Sequence, residues 1–232
     1  MSSGNNAPKD SATSSPADGP ADLEVGSLPK EYSNDESTGS EENAESNFLI
    51  EAVYHSKEGK TVVPETKQQD QLRNKGFGEV FNKEYLLNSL ESLYLLQNNK
   101  IKIYKDKSEY DFSSFLKILI KKDKKIMTKY LIFRDLRSKG YVIKEGFGFG
   151  TDFRIYERGE YNKKTSKYIS VGLNEGTNIR AAEFAEVIEQ VENMGKSVVI
   201  AVVERRGEVI YYKTSKMTFF DNQKSKKKSP NS

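Results

Sequence analysis

Large apolar residues are sparse over the first 47 positions and first gather at Phe48-Leu49-Ile50-Glu51-Ala52-Val53-Tyr54. This run mixes apolar and β-favouring side chains. A turn at Glu58-Gly59 and a second short run, Thr61-Val62-Val63, follow it, and together they predict a hairpin. After a polar stretch, Leu86, Leu87, Leu90, Leu93 and Tyr94 recur at helical spacing, with Asn82 as the expected cap and Asn98-Asn99 as the stop. Ile101, Ile103 and Tyr104 predict a short strand. Phe112, Phe115, Leu116 and Leu119 then fall on one face of a helix over about 112–121.

Lys121 to Lys125 is a charged break and the expected boundary between two domains. Beyond it the pattern predicts a helix over 126–138 containing Tyr130, Phe133 and Arg134, stopped by Gly140. Strands are expected at 141–144, 152–156 and 168–171, separated by glycine-containing turns. A helix over about 180–194 carries Ala181, Phe184, Ala185, Ile188 and Val191 on one stripe and ends at Gly195. Ser197 to Val203 is almost continuously apolar and β-branched, as in a strand buried on both faces, and it pairs with 209–212 through a turn at Arg206-Gly207. The reading is α+β: an N-terminal α+β domain over 49–125 and a C-terminal domain over 126–220. Polar tails at 1–48 and 221–232 are expected to be disordered.

Charge changes this picture. The chain has 232 residues, 35% hydrophobic, and a formal net charge of +3. Its first 48 residues hold ten acids (Asp10, Asp18, Asp22, Glu24, Glu31, Asp35, Glu36, Glu41, Glu42, Glu45) against Lys9 and Lys30. That tail therefore carries −8, and +3 minus −8 leaves +11 on the rest. A cationic fold favours a polyanion such as RNA, although lysine-rich surfaces also serve solubility alone. With no Cys, disulfides, thiolate zinc sites and cysteine nucleophiles are excluded, and a single His excludes a multi-histidine metal site. No secretory signal and no membrane-spanning run is evident, so a soluble, cytoplasmic protein with no membrane partner is expected.

The stretch from Tyr130 to Tyr168, YLIFRDLRSKGYVIKEGFGFGTDFRIYERGEYNKKTSKY, carries a chain of fixed spacings. Phe133, Arg134, Asp135, Leu136, Arg137, Gly140, Tyr141, Gly146, Phe147, Phe149, Gly150, Asp152, Phe153 and Tyr156 stand in the order of the archaeal tRNA-intron (tRNA-splicing) endonuclease signature, and the segment resembles that family. Upstream, Gly76-Phe77-Gly78 and Leu90 to Leu96 resemble its N-terminal domain, and Val198 to Tyr212 resembles its closing strand pair. The resemblance covers about 76–212 and implies that the C-terminal domain is nuclease-like, with a mixed sheet flanked by helices. Read without the family, Gly146 to Gly150 is a poor phosphate loop, since no Lys-Ser/Thr follows; a flexible turn is the expectation.

The resemblance implies a reaction on precursor tRNA that uses no metal or other cofactor and leaves 2′,3′-cyclic phosphate and 5′-hydroxyl ends. Such a reaction needs a base for the 2′-OH, an acid for the leaving 5′-oxygen and a cation beside the charged transition state. The family uses Tyr, His and Lys. The tyrosine carries over to Tyr156 and the lysine to Lys196. The histidine of the His-Ser-x-Tyr run falls on Thr165, whose hydroxyl does not titrate near neutrality. The sole histidine, His55, lies outside the matched stretch. The family's clamping arginine, which stacks on a flipped nucleotide, falls on Glu189, within an acidic row of Glu183, Glu186, Glu189 and Glu192 that also reads as an ordinary solvated helix face. The family's acidic loop between the last two strands, which docks in a basic cleft of a neighbouring subunit, is here Glu204-Arg205-Arg206-Gly207-Glu208.

These departures lead to the expectation of a structural subunit of a heteromeric tRNA-splicing endonuclease, in a hetero-oligomer with a catalytic paralogue. Other readings stay open: an active endonuclease with a degenerate site, or an RNA-binding protein that reuses the fold, and a homo-oligomer is the alternative to the hetero-oligomer. A metal-dependent nuclease is remote, because Asp152 has no Glu-x-Lys partner.

Overall fold

A computed structural model describes residues 49–106 and 108–217. The two expected tails, 1–48 and 221–232, lie outside the described residues.

In the N-terminal half, β1 (Ile50–His55) turns back into β2 (Lys60–Val62) with Val53 opposite Val62. Next come α1 (Thr66–Asn74), β3 (Glu79–Phe81), β4 (Glu84–Leu87), α2 (Ser89–Gln97), β5 (Ile101–Lys105), β6 (Ser108–Tyr110) and α3 (Phe112–Lys122). Six strands form one sheet in the order β3-β4-β2-β1-β5-β6, with β1 and β5 parallel. The C-terminal half contains α4 (Ile126–Ser138), β7 (Val142–Gly148), β8 (Thr151–Tyr156), β9 (Tyr168–Asn174), α5 (Ala181–Asn193), β10 (Ser197–Val203) and β11 (Val209–Thr214). Its sheet runs β11-β10-β9-β8-β7 and is antiparallel except for the β9–β10 pair. Parallel neighbours need a crossover, and α5 provides it. The fold class is α+β, as expected.

Three expectations are corrected. Leu86 and Leu87 lie in β4, not in a helix, and Asn82 caps nothing: it sits with Lys83 at positive φ in the β3–β4 turn. Two successive left-handed residues match the right-handed twist of a two-residue hairpin, and asparagine tolerates that conformation. The helix starts at Ser89, where the Asn88 side chain accepts from the Glu91 backbone N–H at 2.9 Å and the Glu91 carboxylate accepts from Asn88 N–H at 3.0 Å. Second, the polar stretch before β3 contains α1, whose buried residues are only Gln68 and Leu72. Third, the Gly146 to Gly150 turn begins late, because β7 continues to Gly148 through a bulge after Glu145. Gly146 is required there: a Cβ would stand 2.4 Å from the Thr151 carbonyl oxygen.

One hydrophobic core joins both sheets. It includes Leu93, Ile103 and Phe115 from the N-terminal half and Tyr130, Phe133, Ile143, Phe153 and Ala201 from the C-terminal half. Helix α4 is its centre, packing on α2 and on β7, β9 and β10. Gly140 ends α4 at φ +84, as a residue past a helix terminus often must be. Helix α5 holds on through a smaller cluster, Val191 with Val187 and Ile188 against Ile169 and Val198. Of the other expected stripe positions, Ala181 and Ala185 are exposed and Phe184 is half-buried.

Candidate functional site

Three sequence positions drew attention to chemistry, and the C-terminal sheet carries all of them to one end. Ile155 of β8 is opposite Tyr168 of β9, and Tyr168 is opposite Ser197 of β10. One row further out stand Tyr156, Lys167 and Lys196. Strands are spaced about 4.8 Å apart, so the backbones of Tyr156 and Lys196 are roughly 10 Å apart across β9. Backbone bonds hold this end together: Lys167 N–H donates to Ile155 O at 3.1 Å and Ser197 N–H to Lys167 O at 3.2 Å.

Each side chain has a local reason for its place. Tyr156 closes β8, half-buried, with its ring edge-on to Tyr161 at 5.1 Å between centroids. Lys196 follows Gly195, which at φ +68 lets the chain leave α5 and turn into β10. The Lys196 ammonium donates to the Ser166 carbonyl at 2.7 Å, beside Thr165. Thr165 is exposed, just before β9. The geometry therefore brings Lys196 to the Thr165-Ser166 segment and places Tyr156 on the same end of the sheet.

Neighbouring charges are mostly paired. Lys167 bonds Glu157 at 2.6 Å, and that contact holds its ammonium above the usual lysine range. Lys164 bonds Glu160 at 2.7 Å with the same effect. Glu189 pairs with Lys216 at 3.3 Å on the solvent face of α5. Asp152 is structural: it accepts from Gly172 N–H at 2.8 Å and lies 3.6 Å from Lys129, tying β8 to β9 and α4. His55 ends β1 in the other sheet, 3.9 Å from Glu58. Donor atoms of His55, Glu58 and Glu84 lie within 4.8 Å of one another, the one grouping of its kind among the described residues, and it sits on the surface.

Two features were missed from the sequence. Tyr161, in the loop after β8, touches Tyr156 and lies 5.4 Å from the Lys144 ammonium. No periodic or motif signal marks it. The second is a large cleft between the halves of the molecule, walled on one side by that same loop.

Two α+β halves, the second carrying Tyr156, Lys196 and the Thr165-Ser166 segment at one end of a five-stranded sheet, define a two-sheet α+β protein. The chain belongs to the archaeal tRNA intron endonuclease family. The family model for the tRNA intron endonuclease N-terminal domain matches residues 54–116, and that for the catalytic C-terminal domain matches 126–211. The tRNA-splicing endonuclease of Methanothermobacter thermautotrophicus is 31% identical over 137 residues, 59% of this chain and 79% of the relative. That of Thermococcus onnurineus is 32% identical over 154 residues, 66% and 89% respectively, and that of Pyrococcus furiosus 31% over 140 residues, 60% and 81%. Family membership supports a role in tRNA intron cleavage. Among the described residues, no helix is long and apolar enough to cross a membrane.

Proposed function

We propose that this chain is the structural subunit of a heteromeric tRNA-splicing endonuclease, in which a paralogue with the complete Tyr-His-Lys set cuts the precursor tRNA. The observation that carries the reading is Thr165, standing next to the carbonyl that Lys196 holds. Departure of the 5′-oxygen, which would leave a 2′,3′-cyclic phosphate and a 5′-hydroxyl, needs a proton donor of near-neutral pKa. A threonine hydroxyl is not one. Glu189 supports the same reading, because a carboxylate repels a nucleotide that an arginine would clamp. Partnership is supported by β11, an edge strand with Tyr212 47% exposed, since an unpaired apolar edge is a liability that another subunit removes. On this reading Tyr156 and Lys196 face RNA without turning it over, and the complex acts in the cytoplasm.

The test is cleavage of an intron-containing precursor tRNA by the purified chain, alone and co-expressed with the His-bearing paralogue. The lone chain is expected to be inactive and the mixture active; ordinary turnover by the lone chain would overthrow the reading. The substitution Thr165→His separates the active, degenerate alternative. A crippled enzyme would gain on the order of 10²–10⁴-fold in rate, whereas a scaffold gains nothing.

A further inference from the structure

We propose that the outer face of α5 seats the chain's own segment 217–228, the lysine-bearing stretch that follows β11. Over Ala181–Asn193 the helix carries Glu183, Glu186, Glu189 and Glu192 and no Lys or Arg. Its inner side is packed through Val191, Val187 and Ile188, whereas Ala182, Ala185, Glu186 and Glu189 are exposed. Arg180 pairs with Glu183 and Lys216 with Glu189, which leaves Glu186 and Glu192 without a salt bridge among the described residues. The C-terminal end of a helix carries a partial negative charge that favours nearby cations. Helix α5 has no basic residue in its last turn, and Glu192 adds to the negative field there.

The chain arrives on this face. Thr214, the last residue of β11, is opposite Val198. Two residues later the Lys216 N–H donates to Glu192 Oε1 at 2.9 Å, and its ammonium donates to Glu189 Oε1 at 3.3 Å, one turn nearer the helix start. Lys216 thus carries the chain off the sheet and onto the helix. Ala185 is an exposed position further along the same line, seven residues before Glu192 and roughly 10 Å away along the axis. Phe219 and Phe220 stand three and four residues past Lys216, a reach of roughly 10–14 Å. Their rings come within range of a small residue between carboxylates, against which they remove apolar area from water.

Charge selects the same seat. Lys224, Lys226, Lys227 and Lys228 follow, against Asp221 alone. Even Lys224, eight residues past Lys216, has a reach of up to roughly 27 Å, while Glu183 is about 14 Å along the axis from Glu192. Single exposed ion pairs contribute little. Tethering, however, holds these lysines near the helix at an effective concentration in the millimolar range, where several weak pairs together suffice. With the segment seated, α5 stops being a negative face on an otherwise cationic fold. This proposal does not depend on whether the chain is catalytic.

The chain has no Cys, so one introduced cysteine can carry a nitroxide without competition. The experiment is paramagnetic broadening of backbone amide signals in the full, isotope-labelled chain with the nitroxide on Ser225→Cys, read against the reduced label. Amides of 182–186 should lose at least about half their intensity, and more than those of 165–168 and 211–214 around the end of β11. A segment swinging freely about Met217 would do the reverse. Half-molar salt should cut the broadening of 182–186 by at least about threefold, as should Glu183→Gln/Glu186→Gln, which changes exposed side chains alone. A second variant, Lys226→Gln/Lys227→Gln/Lys228→Gln, leaves α5 untouched and should have the same effect. Broadening centred on the end of β11, broadening chiefly of the acidic residues 31–45, or broadening unchanged in either variant would each overturn the proposal. So would equal broadening of isotope-labelled chain without nitroxide when it is mixed with unlabelled chain that carries it.

Discussion

Lys144 and Glu91 are 3% and 2% exposed and meet at 3.0 Å, joining β7 of one half to α2 of the other. The pair is fully engaged: Lys144 also donates to Gly78 O at 2.9 Å, and Glu91 accepts from Gly78 N–H at 3.0 Å and from Asn88 N–H. Removing one partner leaves a buried charge without its counter-ion. Lys144→Met alone is therefore expected to cost about 3–5 kcal/mol, whereas Lys144→Met with Glu91→Leu should recover much of the loss. Denaturant unfolding of the two variants checks this; equal losses would contradict it. At this scale the sequence was partly legible. Tyr156, Thr165 and Lys196 stood out through the family's spacing, but nothing marked Lys144 or Tyr161, because a partner 53 residues away leaves no local pattern.

At the scale of elements, the junction of β4 and α2 is the most instructive. The apolar residues Leu86, Leu87, Leu90 and Leu93 run on without a break, so helical periodicity alone extends the helix too far upstream. The chemistry that ends the strand is Asn88 with Glu91 three residues later, a capping pair that satisfies backbone N–H groups at the helix start. Replacing Asn88 by Ala should destabilise the protein by about 1 kcal/mol, read as a lower denaturation midpoint. No effect would mean that the strand-to-helix junction is held by packing alone. Helix α1 was invisible for the opposite reason: with only Gln68 and Leu72 buried, it has no apolar stripe. The helix over 126–138, by contrast, was legible to the residue, because its buried face is continuous and a glycine follows it.

For the molecule as a whole, the shared core also governs response to alkali. Burial pushes the phenols of Tyr85 and Tyr130 up to about 12. Burial and then the Asp135 carboxylate, which accepts its hydrogen bond at 2.7 Å, hold Tyr211 far above the usual phenol range. A raised folded-state value means the neutral phenol is favoured in the fold. That contribution is fully present below the unfolded value of roughly 10 and is lost as pH rises beyond it. The denaturation midpoint should stay level to about pH 9 and fall between roughly 10 and 12, with part of the phenolate absorbance appearing only on unfolding. A midpoint unchanged at high pH would contradict this account.

The sequence by itself determined the α+β class, the family, the positions of most elements after residue 100 and the absence of a titrating group at Thr165. Each of these is written in local spacing or in the identity of one side chain. Only the tertiary structure decided that Lys196 holds the carbonyl beside Thr165, that Tyr161 backs Tyr156, and that five cations converge on one cleft between the two halves. Those facts depend on residues far apart in the chain meeting across two sheets, and convergence of that kind comes from packing, which periodicity does not encode.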